Sequence, residues 1–405
     1  MVNYNYKFFI ELINSFISNE PVKPKYDVEW DEIIRLAKIN NLLGILFTSI
    51  EKMDKSNRPK EELYNKLKRN FLLQIRNSDQ IDMYVKKVIK AFEQEDIDHI
   101  FLKGYEIKHC YPVTELRSMS DVDILIRKED REKSDKILKD LGYKGNFTNC
   151  EVWDYRKKIS YLEIHTSMVS DEIKQGIDYN KYFSNPWEHA VLTSKNTYKL
   201  EEEYHLIFLL VHMAKHFSEC GCGIRMFLDI EFYLKKYSQI LDWDYIWREL
   251  KNLELVAFTE IVFTLCNRWF HSEIPIEPFD LEEDFYEKIT ENVLLGGIFG
   301  FELSNYKLGM VRHDLNKSNS YFKSSFKICK RLIFPPYEEL IKQEQYSKIK
   351  NKKYLILFAW IYRLLYILIT RGKQGFSYLF DILFGKNKIE EQNETMNKLL
   401  SLIHI

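Results

Sequence analysis

The residues best suited to chemistry are Asp121 and Asp123, in Ser120-Asp121-Val122-Asp123-Ile124-Leu125-Ile126. They open an apolar run rich in β-branched residues, which reads as a strand over 121–127. Residues two apart on a strand share a face, so the two acids project together. Carboxylates held that close repel each other and suit a hard divalent cation shared with phosphate oxygens. Further along, Ile159-Ser160-Tyr161-Leu162-Glu163-Ile164-His165 alternates, with Tyr161, Glu163 and His165 on one face and Leu162 and Ile164 on the other. If that strand lies beside the Asp121 strand, Glu163 is a third carboxylate, either a metal ligand or the base that takes a proton from an acceptor hydroxyl. An ordinary half-exposed strand shows the same alternation. His165 reads as a hydrogen-bonding neighbour of that carboxylate or of substrate.

Upstream, His99-Ile100-Phe101-Leu102-Lys103-Gly104 reads as a short strand (98–103) that turns at a glycine into a helix (104–112). A helix entered through glycine lets a phosphate approach its backbone N–H groups, which makes Lys103 and Gly104 candidate phosphate contacts. Lys103 equally fits a strand-end lysine that snorkels to water. Arg117, in the loop before the acids, is either a clamp on triphosphate or an ordinary solvated cation. Three carboxylates, two metals and a phosphate-binding turn would make a phosphoryl- or nucleotidyl-transfer site.

Leu102-Lys103-Gly104, Arg117, Asp121-Val122-Asp123-Ile124-Leu125, Leu141-Gly142-Tyr143 and Leu162-Glu163-Ile164-His165 together resemble the uncharacterised bacterial nucleotidyltransferase family, within the polymerase-β-like superfamily. The likeness covers about 100–240 and reaches His212-x-x-Lys215-His216 and Leu228-Asp229. It implies an α+β fold: a polymerase-β-like nucleotidyltransferase core, built as a small mixed sheet with helices, flanked by N- and C-terminal helical lobes. It also implies metal-dependent transfer of NMP from an NTP such as ATP to a hydroxyl or phosphate of an unknown acceptor, with release of pyrophosphate. On that resemblance Asp121, Asp123 and Glu163 are the catalytic metal ligands, for two Mg²⁺ ions or for Mn²⁺ in their place. Lys103, Gly104, Arg117, Lys215 and His216 bind the nucleotide, while His165, His212 and Asp229 contact substrate or support the ligands. The superfamily usually has a small residue after the glycine, where this chain has Tyr105, and the gap to the acids is longer here. A ring filling the phosphate cradle would leave a catalytically degenerate scaffold that binds nucleotide or protein, which is the alternative reading.

The apolar helix expected over 201–217 spaces His212 and His216 as zinc ligands can be, but no glutamate follows His212 as in a metalloprotease helix. A satisfied buried histidine is a competing reading of His212. Asp229 could bond to one of these histidines or contact substrate, and a cap or core hydrogen bond fits it equally.

These segments must be held by the rest of the chain, and 405 residues suffice for two or three lobes. Apolar spacing predicts helices over 4–18, from Trp30 to about Met53, and from about Lys60 to Glu95, an N-terminal helical lobe (1–96) with no chemistry of its own. The core (97–200) continues with a helix over 129–141 and a hairpin over about 148–166, giving a sheet with helices on one side. A helical lobe (201–330) completes the cleft, with loops at 294–297 and 304–320. The last region (331–405) holds an almost continuous apolar stretch at 354–370. Lys348, Lys350, Lys352 and Lys353 precede that stretch and Arg363 interrupts it, so it reads first as a buried or lobe-spanning helix. An interfacial helix making peripheral membrane contact through 348–370 is the second reading.

A formal net charge of −1 gives no basic field for nucleic acid, so the acceptor is expected among small molecules, glycans, lipids or proteins. The six cysteines are scattered, with no Cys-x-x-Cys, and Cys220-Gly221-Cys222 is too tight for a zinc knuckle. The first residues lack a basic segment followed by an apolar one, and a reducing cytoplasm is the expected setting.

Overall fold

Apolar residues at helical spacing build the first lobe. Helix α1 (Tyr4–Ser18) buries Phe8, Phe9, Leu12, Ile13 and Phe16, and the Asn3 side chain caps it by accepting from the Asn5 N–H. The computed structural model describes residues 3–147, 152–169, 177–219, 221–297, 330, 334–340 and 352–363. The helix expected from Trp30 to about Met53 is two helices, α2 (Trp30–Ile39) and α3 (Leu43–Lys52). Asn41 between them takes a left-handed φ of 58°, and the buried Asn40 amide donates to the Leu36 and Leu294 carbonyls. Helix α4 (Glu61–Gln94) is a single helix, as its periodicity predicts.

The sheet is built from β1 (His99–Phe101), β2 (Val122–Ile126), β3 (Lys144–Phe147), β4 (Val152–Lys157), β5 (Ser160–His165), β6 (Ala190–Ser194) and β7 (Thr197–Leu200). Short helices α5 (Lys103–Ile107) and α7 (Tyr179–Tyr182) and the longer α6 (Arg131–Asp140) lie between strands. Gly142, at φ 84°, ends α6 as expected, with its N–H bonded to the Lys139 carbonyl and the Tyr143 N–H to that of Leu138. The strand order is β3-β4-β5-β2-β1-β7-β6. β2 pairs in parallel with β5, and β1 with β7, while the other pairs are antiparallel. The sheet is therefore mixed, as expected, but it is wider, because β3 at one edge and the β6–β7 hairpin at the other are strands that the sequence pattern does not announce.

Helices on one side only is an expectation the structure corrects. Alternate residues feed two cores: Val122, Ile124, Ile126, Leu162 and Ile164 join Val85, Val88, Phe92 and Leu138 from α4 and α6. Ile100, Leu102 and Leu125 join a larger core made by the other helices. Both faces are covered, which is why β2 is buried along its whole length.

That larger core unites α1–α3 with α8 (Glu202–Glu219), α9 (Ile224–Tyr237), α10 (Trp243–Asn252), α11 (Val256–Phe270) and α12 (Glu283–Gly296). Phe16 meets Phe232 edge-on, and the Asn14 amide donates to the Trp269 carbonyl at 2.7 Å. Residues 294–296, expected as loop, form the end of α12, because Val293 and Leu294 are buried and the helix stops only at Gly297, φ 62°. The loop expected at 304–320 lies outside the described residues, as does 364–370. The described part of the apolar stretch is helical to Arg363 and anchors through Ala359 and through Trp360, which donates to the Pro335 carbonyl. It is not buried as first expected, since Leu357, Phe358 and Ile361 are exposed. Among the described residues, no helix is long and apolar enough to cross a membrane.

Candidate active site

The parallel register of β2 and β5 sets Asp123 directly beside Glu163, and Leu125 beside His165. The condition on which Glu163 becomes a third carboxylate is therefore met. His165 Nε2 lies 2.9 Å from Asp123 Oδ1 and 3.6 Å from Glu163 Oε2. The Tyr161 hydroxyl donates to Glu163 Oε1 at 3.1 Å. Lys103 reaches the same Asp123 Oδ1 at 2.8 Å from the β1–α5 turn. It does so from a left-handed φ of 48°, a backbone strain of about 1 kcal/mol that the ion pair offsets. Asp121 stands just ahead of β2, and its carboxylate accepts from the Ser120 hydroxyl at 2.6 Å.

Electrostatics separate the two acids. Burial alone would raise the Asp123 pKa, but Lys103 and His165 more than reverse this and hold it well below the usual carboxylate range. Burial opposes charge on His165 too, yet its bonds to Asp123 and Glu163 raise its pKa. Asp121 is raised by burial and then by the charge of Asp123. The residues fit a divalent metal on that evidence: one carboxylate oxygen already draws a lysine ammonium and a histidine ring, and a second acid is crowded by the first. Asp123, Glu163 and His165 offer ligand atoms within 4.8 Å of one another, a set that could hold a metal ion, while Asp121 is not part of that cluster.

Asp121, Asp123 and Lys103 face a cavity of about 280 Å³, with His212 and His216 from α8 and Arg225 from α9 also in its lining. Arg117 lines it as well, but its Nε and Nη2 form a fork on Asp229 at 2.8 and 2.7 Å, and Nη1 donates to the Ser118 carbonyl. The Tyr111 hydroxyl donates to the same Asp229 carboxylate at 2.7 Å. Asp229 thus bonds to Arg117 and not to a histidine, and Arg117 is buried rather than solvated. Gly104 serves this pair, because a Cβ there would stand 3.0 Å from Arg117 Nη1.

Tyr105 does not fill the cradle. Its ring lies 4.6 Å from that of Phe101, inside the core shared by α4 and the sheet, and outside the cavity lining. His212 and His216 place their Nε2 atoms 3.2 Å apart. Burial lowers both, His216 to about 4, so both rings are neutral at pH 7. Among the described residues they gather no third metal ligand. Lys215 is half-buried on the same helix and does not line the cavity. Arg225 was not singled out from the sequence. The one signal for it is a cation in the first turn of a helix, two residues after Cys220-Gly221-Cys222-Gly223.

A family model described as uncharacterised nucleotidyltransferase matches residues 26–271. No curated protein matches the chain. Among solved structures, the solution structure of the antibiotic-resistance factor ANT(2'')-Ia aligns with 48% of this chain and 99% of its own, at 11% identity and a TM-score of 0.31. A likeness that weak carries no argument here.

Proposed function

Because the chain belongs to the uncharacterised nucleotidyltransferase family, we propose that it transfers NMP from an NTP to a hydroxyl or phosphate of an acceptor and releases pyrophosphate. The observation that carries this reading is the β2–β5 register, which sets Asp123 beside Glu163 on the strand whose leading acid, Asp121, faces the same cavity as Asp123. Asp121, Asp123 and Glu163 would hold divalent magnesium, which when bound neutralises phosphate charge and acidifies an attacking hydroxyl. Asp123 is kept ionised by Lys103 and His165. Glu163, held by Tyr161, is the carboxylate available to accept the acceptor's proton. Lys103, Gly104 and His216, all in the cavity lining, remain the nucleotide contacts of the proposal, while Lys215 lies outside that lining and Arg117 acts through the wall it builds with Asp229. In this scheme segment 97–200 carries the acids, 201–330 closes the cleft, and 1–96 and 331–405 flank them. The degenerate-scaffold alternative loses its main support, since it depended on Tyr105 occupying the cavity.

Thermal unfolding with each NTP, with and without Mg²⁺, tests the reading. A ligand bound only by the folded state adds about 2.7 kcal/mol at a hundredfold its dissociation constant. A Mg²⁺-dependent rise in Tm for one NTP, lost in Asp121→Asn/Asp123→Asn, is the expected result and names the donor. No rise with any NTP returns the scaffold reading.

The proposal includes a cytoplasmic setting and peripheral contact with an anionic membrane through 348–370, supported by exposed Leu357, Phe358 and Ile361 near Lys352 and Lys353. Sedimentation with anionic vesicles at low salt, reversed by added salt, is the expected outcome. Protein that stays in the supernatant at low salt rules the contact out.

A further inference from the structure

The cavity holds three long cations, and two of them have carboxylate partners: Lys103 with Asp123 at 2.8 Å and Arg117 with Asp229 at 2.7 Å. Arg225 has none. Its Nη1 donates to the Ser118 carbonyl at 3.1 Å, and its buried Nε has no hydrogen-bond partner among the described residues. The first turn of α9, where it sits, carries no acid. Arg117 donates to the same Ser118 carbonyl, so two guanidinium groups converge on one oxygen. Burial and then the charge of Arg117 lower the Arg225 pKa to about 10, which leaves it charged at pH 7. A charged fork with an unmet buried donor is costly without an anion. The cavity supplies the place for one, with the acids Asp121 and Asp123 in the same lining.

We infer that Arg225 seats the terminal phosphates of the nucleotide, the part that leaves as pyrophosphate. This rests on the nucleotidyltransferase reading and adds to it the group that receives the leaving charge. The acceptor oxygen forms its bond to the α-phosphorus as the bond from that phosphorus to the bridging oxygen breaks. The electron pair stays on the bridging oxygen, and the acceptor's proton passes to Glu163 or water. Charge therefore grows on the pyrophosphate, where a planar guanidinium offers paired donors to phosphate oxygens.

Titration calorimetry on the full chain tests this with pyrophosphate, NTP with Mg²⁺, and NMP as probes. Arg225→Gln is expected to weaken pyrophosphate and NTP binding by about tenfold or more, the scale of a lost hydrogen bond to a charged group, and to leave NMP binding unchanged. Arg225→Lys, which keeps charge without the fork, is expected to fall between, and carries the test if the glutamine variant does not fold. The Tm of free Arg225→Gln is expected to equal or exceed that of wild type, which a purely structural role would not produce. Pyrophosphate and NTP binding within about twofold of wild type, or an equal loss for NMP, overturns the inference. Mg²⁺-dependent NTP binding that is lost in Asp123→Asn yet indifferent to Arg225→Gln overturns it while the nucleotidyltransferase reading stands. Absence of NTP binding by wild type overturns both.

Discussion

Asp123→Asn is expected to lower NMP transfer by on the order of 1,000-fold or more, because several kcal/mol of metal-derived stabilisation depends on it. Lys103 and His165 both bond to Asp123 Oδ1, and Glu163 sits beside it in the strand register. An asparagine of the same shape keeps a carbonyl oxygen for those donors but removes the charge that a divalent cation requires. The fold should survive, because Lys103 keeps 22% of its side chain exposed and can turn to water. Single-turnover transfer read beside circular dichroism separates the two effects. A folded variant with activity within about tenfold of wild type would remove Asp123 from the metal site. A pH signature accompanies the loss. The folded pKa of Asp123 is depressed, so its stabilisation is present above the ordinary value of 3.8 and is lost as pH falls through the lower folded value. Asp123→Asn should lack that acid-sensitive component.

Asp229→Ala is expected to cost about 3–5 kcal/mol of stability, the range for removing one partner of a buried ion pair. Arg117 would be left with 8% of its side chain exposed, beside Arg225 and with the fork empty. The Tyr111 hydroxyl, fully enclosed, would lose its acceptor as well. The loop that carries Ser118 and Ser120 into Asp121 hangs on this pair, so activity should fall with stability. Urea unfolding checks the magnitude. Replacing both partners by apolar residues, Arg117→Met with Asp229→Leu, should recover part of the loss, because no uncompensated charge remains. A loss for Asp229→Ala below about 1 kcal/mol would mean that the charge relaxes to solvent, against the burial seen here.

Both results depend on features of different range. The sequence by itself determined what is local: that Asp121 and Asp123 lead an apolar strand, that Glu163 and His165 share a face, that α4 is one long helix, and that Gly142 stops α6. These follow from periodicities and caps set within a few residues. Periodicity says which side chains share a face, but not what the face meets. Only the tertiary structure placed β5 in parallel beside β2, which set Glu163 beside Asp123. Only it sent Tyr105 into the sheet core, since either side of that short helix could have faced the cavity. It also decided that Arg117 answers Asp229, 112 residues away in the chain, and that Arg225 has no such ion pair among the described residues. Ion pairing depends on distances of a few ångströms between distant segments, and no local pattern in a sequence records them.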